Sequence, residues 1–347
     1  MEIGSFYNLY FNKNPFSIKK HHGKQDLFFA SGRIAIKYIV ENLGCKSCLI
    51  PNYLCSSVYQ CFDNFDYYKI QNNFEINIKY LSDLINNNNY DLILIINFFG
   101  YIDKNITEIK NICKKHNILI LEDFTHNLFS NNLYGDICIS SFRKTLPTPF
   151  GSIVKINSSR INIKQSTGIN LYYIYLNIVK ILGSILKNIS YFKWIWRPML
   201  IYCENNVKNL NYNGFDYINH FFYNYYYDIN ILTLRKQNIA YLKNSLSYTI
   251  NKNFNNTYFC FILNCRNQKY RDKLLRYLIN KNIYCPIYWP LDFDKNNKCN
   301  NYINKTVLMV PIDQRYNKDN MKYIIDCISF FNDSYKSFCF HMDTLNS

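Results

Sequence analysis

The sequence has little glycine and few acidic residues. Its 347 residues include 10 Gly and 24 Asp plus Glu, against 40 Lys plus Arg, so the formal net charge is +16. There is no block of about five consecutive basic residues and no recognisable nucleic-acid-binding motif, which argues against nucleic acid as a partner. The positive charge indicates either a solvated lysine-rich surface or attraction of an anionic substrate, such as a phosphorylated or nucleotide-linked one.

The amino-terminal segment lacks the features of a secretory signal. It reads MEIGSFYNLY, without a basic stretch followed by an apolar one. We therefore expect a cytoplasmic protein in which most of the 13 cysteines are free thiols. Cys45 and Cys48 have the CxxC spacing of zinc and redox sites, but no second CxxC follows and Cys48 opens the apolar run CLIP. We expect no metal site.

Strand and helix patterns alternate through the first half of the chain. Helical spacing of apolar residues predicts helices over 33–43, 53–62, 78–87 and 106–116. Short apolar runs predict strands over 48–51, 66–70, 91–99, 118–122, 137–140 and 151–156. This alternation predicts an α/β fold with a wound, mostly parallel sheet, in which ligands bind beyond the carboxyl ends of the strands.

The last third of the chain predicts a smaller α/β domain. Helices are expected over 231–247, 272–280 and 318–331, and strands over 257–263, 283–288 and 306–312. No repeat and no Pro- or Gly-rich linker separates the two parts. The predicted division is a large domain over 1–230 and a small carboxyl-terminal domain over 231–347.

Residues 169–202 form an unusual apolar segment in the large domain. The run from Ile169 to Leu186 is nearly long enough to span a membrane, but Asn170, Asn177 and Lys180 interrupt it. Aromatic residues mixed with Lys193 and Arg197 follow. Two interpretations stay open: helices that pack on the core or on a partner subunit, or a membrane-surface attachment.

Three local motifs carry the chemistry. Ser31-Gly32-Arg33 opens the first helix, where unpaired N–H groups and the helix dipole bind phosphate and Arg33 could add a charge. The same pattern is also an ordinary helix cap. The second motif, Asp123-Phe-Thr-His126, follows a buried strand. Asp123 could keep a pyridinium nitrogen protonated, with His126 bonded to it or covering the ring; the alternative is a capping Asp and a surface His.

The third motif is Ser140-Ser141-Phe-Arg143-Lys144, directly after another strand. A lysine amine attacks a carbonyl only when it is deprotonated, and burial or a neighbouring cation such as Arg143 lowers its pKa. Ser140 or Ser141 could supply a hydroxyl to a phosphate. By itself, a lysine after a strand is usually exposed.

Taken in order, these motifs resemble the DegT/DnrJ-type sugar aminotransferases. The run SGR, IPNY, LEDFTH and a lysine followed by Gly151 carries the resemblance, which extends over most of residues 28–330. The spacing from Asp123 to Lys144 is its most specific part. The resemblance implies fold type I of the pyridoxal-phosphate-dependent transferases, with pyridoxal 5'-phosphate as cofactor and a homodimer as the assembly.

The resemblance also implies residue roles. Lys144 is the Schiff-base lysine and proton carrier, Asp123 the partner of the pyridine nitrogen, and His126 the residue near the ring oxygen. The implied cofactor contacts are Ser31, Gly32, Arg33, Tyr53, Ser140 and Ser141, and Trp289 and Arg315 fall where substrate contacts are made. Arg315 reads equally well as a structural arginine.

The implied reaction is transfer of an amino group from an amino acid, by resemblance glutamate, to a keto-sugar that is nucleotide-linked. Arg33 and the glycine-poor loop TLPTPFG depart from the family pattern and leave the substrate open. Two alternatives remain, because fold does not fix function. One is a different reaction of the same cofactor, and the other is a non-catalytic relative that acts as a binding or scaffold protein.

Overall fold

The computed structural model describes residues 2–11, 25–165, 167–210, 214–246, 257–289 and 301–344. These residues form two compact units. One unit contains the described residues from Phe6 to Asp228, and the other contains residues 2–5 together with those from Ile229 onward. Each unit has its own sheet.

The first unit is built on a seven-stranded sheet. Its strands are β1 (Leu27–Phe29), β2 (Cys48–Pro51), β3 (Phe65–Tyr68), β4 (Leu92–Ile96), β5 (Leu119–Asp123), β6 (Ile137–Ser141) and β7 (Ser152–Ile156). Their order is β1-β7-β6-β5-β4-β2-β3. The neighbours from β3 to β6 are parallel, whereas β7 is antiparallel to both β6 and β1. The predicted fold class, a wound and mostly parallel sheet, is confirmed.

Several helices of this unit begin at a capping side chain. They are α1 (Gly32–Leu43), α2 (Ser56–Tyr59), α3 (Ile78–Asn87), α4 (Ile106–Lys115), α5 (Leu171–Leu186), α6 (Lys193–Asn206) and α7 (Tyr217–Tyr226). Ser31 caps α1 by accepting from the N–H of Ile34, and Gly44 ends the helix in the left-handed conformation, with a φ of 63°. Asn77 caps α3 in the same way as Ser31 caps α1.

The strands at the centre of the sheet are apolar because both faces are covered. Every residue of β4 is buried, and β5 and β6 are almost entirely buried. Parallel strands with helices on both faces require such continuous apolar runs. The polar residues that follow these strands therefore lie together at one edge, beyond the carboxyl ends.

The apolar segment over 169–202 forms a helical hairpin, in which α5 packs along α6. Among the residues that the structure describes, no helix is long and apolar enough to cross a bilayer. The polar residues that interrupt the apolar run, Asn177 and Lys180, are buried.

The second unit has a two-stranded antiparallel sheet, β8 (Cys260–Asn264) and β9 (Val307–Pro311). Its helices are α8 (Ile231–Ser245), α9 (Gln268–Asn280), α10 (Asn301–Thr306) and α11 (Lys318–Thr344). Arg235 and Asn238 of α8 are buried and tie it to the loop after β9: Arg235 donates to Gln314 Oε1 at 2.8 Å, and Asn238 donates to the carbonyl of Tyr316 at 2.9 Å.

Several element predictions were wrong in detail. Residues 283–288 do not form a strand: only Ile283 makes a bridge, to Ile3. The helix predicted over 53–62 is reduced to Ser56–Tyr59, because Asn52 to Leu54 continue from β2 as buried non-helical chain. The edge strand β1 and helix α7 were not predicted.

Candidate active site

The candidate site lies beyond the carboxyl ends of β4, β5 and β6. Asp123 is the last residue of β5, and Lys144 ends a short 3-10 turn directly after β6. Because these strands are parallel neighbours, their ends meet at one edge of the sheet. Backbone bonds join the ends: the N–H of Asn97, after β4, donates to the carbonyl of Asp123 at 3.0 Å.

Lys144 and His126 are in direct contact. Lys144 Nζ lies 3.3 Å from His126 Nε2. The other ring nitrogen, Nδ1, accepts from the N–H of Phe99 at 3.1 Å, and the rings of Phe99 and His126 are stacked at an interplanar angle of 12°. A neutral imidazole that accepts at Nδ1 carries its proton on Nε2. This network assigns Nε2–H as a donor to a neutral Lys144 amine.

Electrostatics favour the same protonation states. Burial lowers the pKa of Lys144, with a smaller lowering from Arg143, while the nearby carboxylate of Asp123 opposes it. Burial, and then the nearby Lys144, holds the pKa of His126 well below its usual value. Both pKa shifts are in the direction that favours the neutral forms of Lys144 and His126, and a neutral amine is the form that attacks a carbonyl.

Asp123 is fixed by the turn that follows it. One carboxylate oxygen, Oδ1, accepts from the N–H of Thr125 at 2.9 Å. Thr125 Oγ1 in turn accepts from the N–H of Ser141 at 3.1 Å, which links the end of β5 to the end of β6. Within the described chain, Oδ2 of Asp123 accepts no hydrogen bond. Asp123 therefore presents one carboxylate oxygen to a ligand.

The start of α1 lies beside the end of β6. A methyl group added to Gly32 would lie 3.7 Å from Ser141 Cβ. The N–H groups of Gly32 and Arg33 stand in the first turn of α1, where no helical carbonyl can reach them. Arg33 is close enough to Cys55 and Arg143 for its charge to interact with both, although burial is the main cause that lowers its pKa. The N–H groups at the start of α1 thus lie beside Ser141, and N–H groups at a helix start suit phosphate.

Strand alternation separates the two candidate serines. In the β5–β6 register, Asp123 pairs with Ile139 and Glu122 pairs with Cys138. Since side chains alternate between faces, Ser141 lies on the face of Asp123, and Ser140 lies on the face of Glu122. Glu122 is buried and accepts from the N–H groups of Tyr134 and Gly135 at 2.6 and 2.8 Å. Glu122 therefore has a structural role, binding the loop before β6. Ser140 lies on the same face as Glu122 and not with Asp123 and Ser141.

Tyr53, the expected ring-stacking residue, lies among aromatic side chains of the protein, and its cofactor role stays a prediction. Its side chain is buried between aromatic rings, 5.5 Å from the ring centroid of Phe98 and 5.9 Å from that of Phe74. Cys55, two residues further on, is half-buried and lies near both Lys144 and Arg33. No sequence motif had indicated that Cys55 lies close to the site.

A buried ion cluster behind Lys144 was also missed. Glu204 of α6 forms ion pairs with Arg143 and with Lys180 of α5. Burial alone raises the pKa of Glu204, but the two cations outweigh it and bring the value to about 2. Burial lowers the pKa of Lys180 to about 8 in spite of Glu204, because Lys180 is the more buried partner. In sequence, Glu204 stands out as the single acidic residue between Asp136 and Asp216.

The two expected substrate contacts belong to the second unit. Arg315 forms a two-pronged ion pair with Asp313, at 2.7 and 2.8 Å, and donates to the carbonyl of Ser5 at 2.9 Å. This arrangement is that of a structural arginine. Trp289 is mostly buried and its ring centroid lies 5.8 Å from that of Tyr288. Their substrate roles stay predictions.

No known family model and no curated protein matches the sequence. The structure, in contrast, has the fold of sugar aminotransferases of the DegT/DnrJ/EryC1/StrS type, which confirms the resemblance at the level of the fold. The PLP-form of a Streptococcus pneumoniae protein assigned as a sugar aminotransferase has a TM-score of 0.66 and 12% identity, with 96% of this chain and 99% of that chain covered.

Two further solved structures agree. The aminotransferase TlmJ from Streptoalloteichus hindustanus has a TM-score of 0.64 and 10% identity, over 90% of this chain and 87% of that one. A DegT DnrJ EryC1 StrS aminotransferase from Brucella abortus has a TM-score of 0.59 and 12% identity, over 88% and 85%. The predicted transferase fold is therefore confirmed.

Proposed function

We propose that the chain is a pyridoxal-phosphate-dependent sugar aminotransferase in which Lys144 binds the cofactor covalently. The observation that carries this proposal is the half-buried Lys144 amine, which lies 3.3 Å from His126 Nε2 at the same strand edge as Asp123 and whose pKa is lowered by burial. The structural likeness to sugar aminotransferases solved in PLP and PMP forms supports it.

The residues at the site fit the two ends of this cofactor. The donor set at the start of α1, Gly32 N–H, Arg33 and Ser141, suits a phosphate dianion. The accepting oxygen of Asp123 suits a protonated pyridine nitrogen. Lys144 stands at the same strand edge as both groups, which is where a lysine must lie to reach the aldehyde. When bound, pyridoxal phosphate supplies an aldehyde and a ring that withdraws electrons from the reacting carbon.

Each residue then has one task. The Nζ of Lys144 would form the covalent bond to the cofactor and, once displaced by an amino substrate, would serve as the base that moves a proton. Asp123 would hold the protonated ring nitrogen. His126, fixed by the N–H of Phe99, orients the lysine amine. Arg33 and the start of α1 would hold the phosphate.

For the substrates, we propose an amino acid donor, glutamate, and a keto-sugar acceptor linked to a nucleotide, in glycan or metabolite biosynthesis. The net charge of +16 supports an anionic acceptor. We further propose a homodimer, the commonest symmetric assembly of soluble chains. A cytoplasmic location agrees with the free thiols of the described cysteines.

The proposal is tested by measuring amino transfer. Purified protein with added pyridoxal phosphate and glutamate, but no acceptor, should form about one equivalent of 2-oxoglutarate per site, because the cofactor keeps the amino group. Turnover should follow only when a keto-sugar nucleotide is added, with the amino sugar detected by mass spectrometry.

The matched variants are Lys144→Ala, which should form no 2-oxoglutarate, and Lys110→Ala on the exposed face of α4, which should behave as the wild type. Cofactor binding without any amino transfer from a panel of amino acids would favour a different reaction on this fold. Absence of both would favour a non-catalytic relative.

A further inference from the structure

Helix α5 buries its polar residues, together with Tyr173 and Leu176, and exposes much of its apolar surface. Asn177, Lys180 and Ser184 are buried, each no more than 5% exposed. Leu171 and Ile178, in contrast, are 79% and 50% exposed. A surface helix of a protein in water normally has the opposite arrangement.

This orientation is fixed by satisfied polar contacts. Asn177 Oδ1 accepts from Asn219 Nδ2 at 2.8 Å, and Lys180 forms an ion pair with Glu204. Rotating α5 to bury its apolar face would break these contacts and leave buried polar groups without partners, which is costly. The apolar face is therefore a built feature of the outer surface.

The apolar surface continues onto α6 and the turn before it. Tyr191 and Trp194 are 86% and 75% exposed. We call the exposed apolar side chains of 169–202 the hairpin face: Ile169, Leu171, Tyr172, Tyr175, Ile178, Leu182, Ile185, Ile189, Tyr191, Phe192, Trp194, Ile201 and Tyr202. A contiguous apolar surface of this kind marks an interaction site, and its Tyr and Trp residues suit the boundary between water and lipid.

The charged residues of the hairpin are mostly basic. Between residues 169 and 208 the basic residues are Lys180, Lys187, Lys193, Arg197 and Lys208. The single carboxylate in this stretch, Glu204, is paired with Arg143 and with the buried Lys180. Lys193, Arg197 and Lys208, which are exposed or half-buried, give the apolar and aromatic surface a positive charge that complements the anionic surface of a bilayer.

The same charges disfavour a second copy of the chain as the occupant. A two-fold interface would place this face against itself, so both copies would bring their basic residues to the same interface. A membrane span is also excluded for α5, because its 16 residues are fewer than the roughly 20 that a hydrocarbon core requires. We propose that the hairpin α5–α6 binds the surface of anionic membranes, with the hairpin face lying in the interfacial layer.

Vesicle sedimentation with the full chain tests this proposal. The probes are vesicles of phosphatidylcholine with and without phosphatidylglycerol. The wild type should bind the anionic vesicles at least about tenfold more tightly than the neutral ones, since each basic residue near the surface contributes about fivefold. Arg197→Gln should weaken binding by roughly that fivefold factor, and added salt should weaken it further.

The apolar part is tested by Trp194→Ser combined with Leu171→Ser. Both side chains are exposed, so the fold should persist, and binding should fall on the order of a hundredfold as two apolar anchors are lost. Phe330→Ser is the matched control, because Phe330 is 65% exposed on α11 and lies outside the hairpin face. Equal loss in the control would overturn the proposal.

Light scattering distinguishes membrane binding from the alternative, in which the hairpin face is an interface between copies of the chain. If the wild type ignores anionic vesicles and the double variant instead lowers the oligomeric state, the hairpin face is an interface between copies and the membrane proposal is wrong. Vesicle binding with an unchanged oligomeric state in the double variant supports it. None of these outcomes depends on catalytic activity.

Discussion

The ion cluster behind Lys144 offers the sharpest test of the structure. Glu204→Gln removes the carboxylate that joins α6 to Arg143 and to Lys180 of α5. Lys180, whose side chain is 7% exposed, would then be a buried cation without its carboxylate partner Glu204. Its Nζ lies 4.1 Å from the ring centroid of Phe150. Arg143, 38% exposed, can turn to solvent. The loss of stability should therefore come mainly from the unpaired Lys180 and the packing of the hairpin.

The magnitude follows from the pKa of Glu204, which lies at about 2 against an ordinary 4.5. At about 1.4 kcal/mol per pKa unit, this shift corresponds to about 3 kcal/mol of unfolding free energy at neutral pH. Solvent screening at Arg143 reduces it, so about 2 kcal/mol is the expected loss. Removing one partner of a buried pair typically costs a few kcal/mol, which is consistent.

Urea unfolding of the wild type, Glu204→Gln, Lys180→Met and the double variant measures this effect. The double variant should recover most of the stability lost in Glu204→Gln, since no buried cation remains. Because the folded pKa of Glu204 is depressed, the advantage of the wild type over Glu204→Gln is complete above about 4.5 and is lost as the pH falls toward about 2. A loss below about 0.5 kcal/mol at neutral pH, with no recovery in the double variant, would refute this reasoning.

Three further predictions concern the same unit. Burial raises the pKa of Asp216 to about 6. The unfolding free energy of Asp216→Asn should therefore gain up to about 3 kcal/mol relative to that of the wild type as the pH rises through that value. Urea unfolding as a function of pH measures this, and a difference that does not change with pH would contradict it. Gly151→Ala should destabilise by about 3 kcal/mol in the same assay, because φ is +92° and a Cβ would lie 2.6 Å from both Asn219 and Phe142; a neutral effect would show that the turn relaxes. Cofactor uptake should increase with pH with a midpoint below 10.5, and Arg143→Gln should raise that midpoint, since Arg143 lowers the pKa of Lys144; an unmoved midpoint would show that Arg143 does not act on the amine.

The sequence predicted the elements that depend on local patterns. The fully buried strand β4 and helix α3 (Ile78–Asn87) were predicted because one is a continuous apolar run and the other has helical spacing of its apolar residues. Strand β1 was missed because three residues carry too little pattern. The strand expected over 283–288 failed because an apolar run does not reveal whether a neighbouring strand exists.

The site could be predicted in part for a similar reason. Asp123 and Lys144 follow neighbouring parallel strands, so topology alone brings them to one edge. The role of Glu204 was not predictable, because it lies 60 residues beyond Lys144 and meets Arg143 only through the packing of α5 on α6. The orientation of α5 could not be predicted either, because the sequence of an apolar helix with a few polar residues does not show which side faces the core.

The central claim is that Lys144 binds pyridoxal phosphate, and absorbance spectroscopy tests it most directly. Purified wild type with added cofactor should show a visible band that borohydride abolishes, and mass spectrometry should then find the cofactor on the peptide containing Lys144. Lys144→Ala should show neither. A wild type without a visible band, or a cofactor trapped equally well in Lys144→Ala, would contradict the assignment.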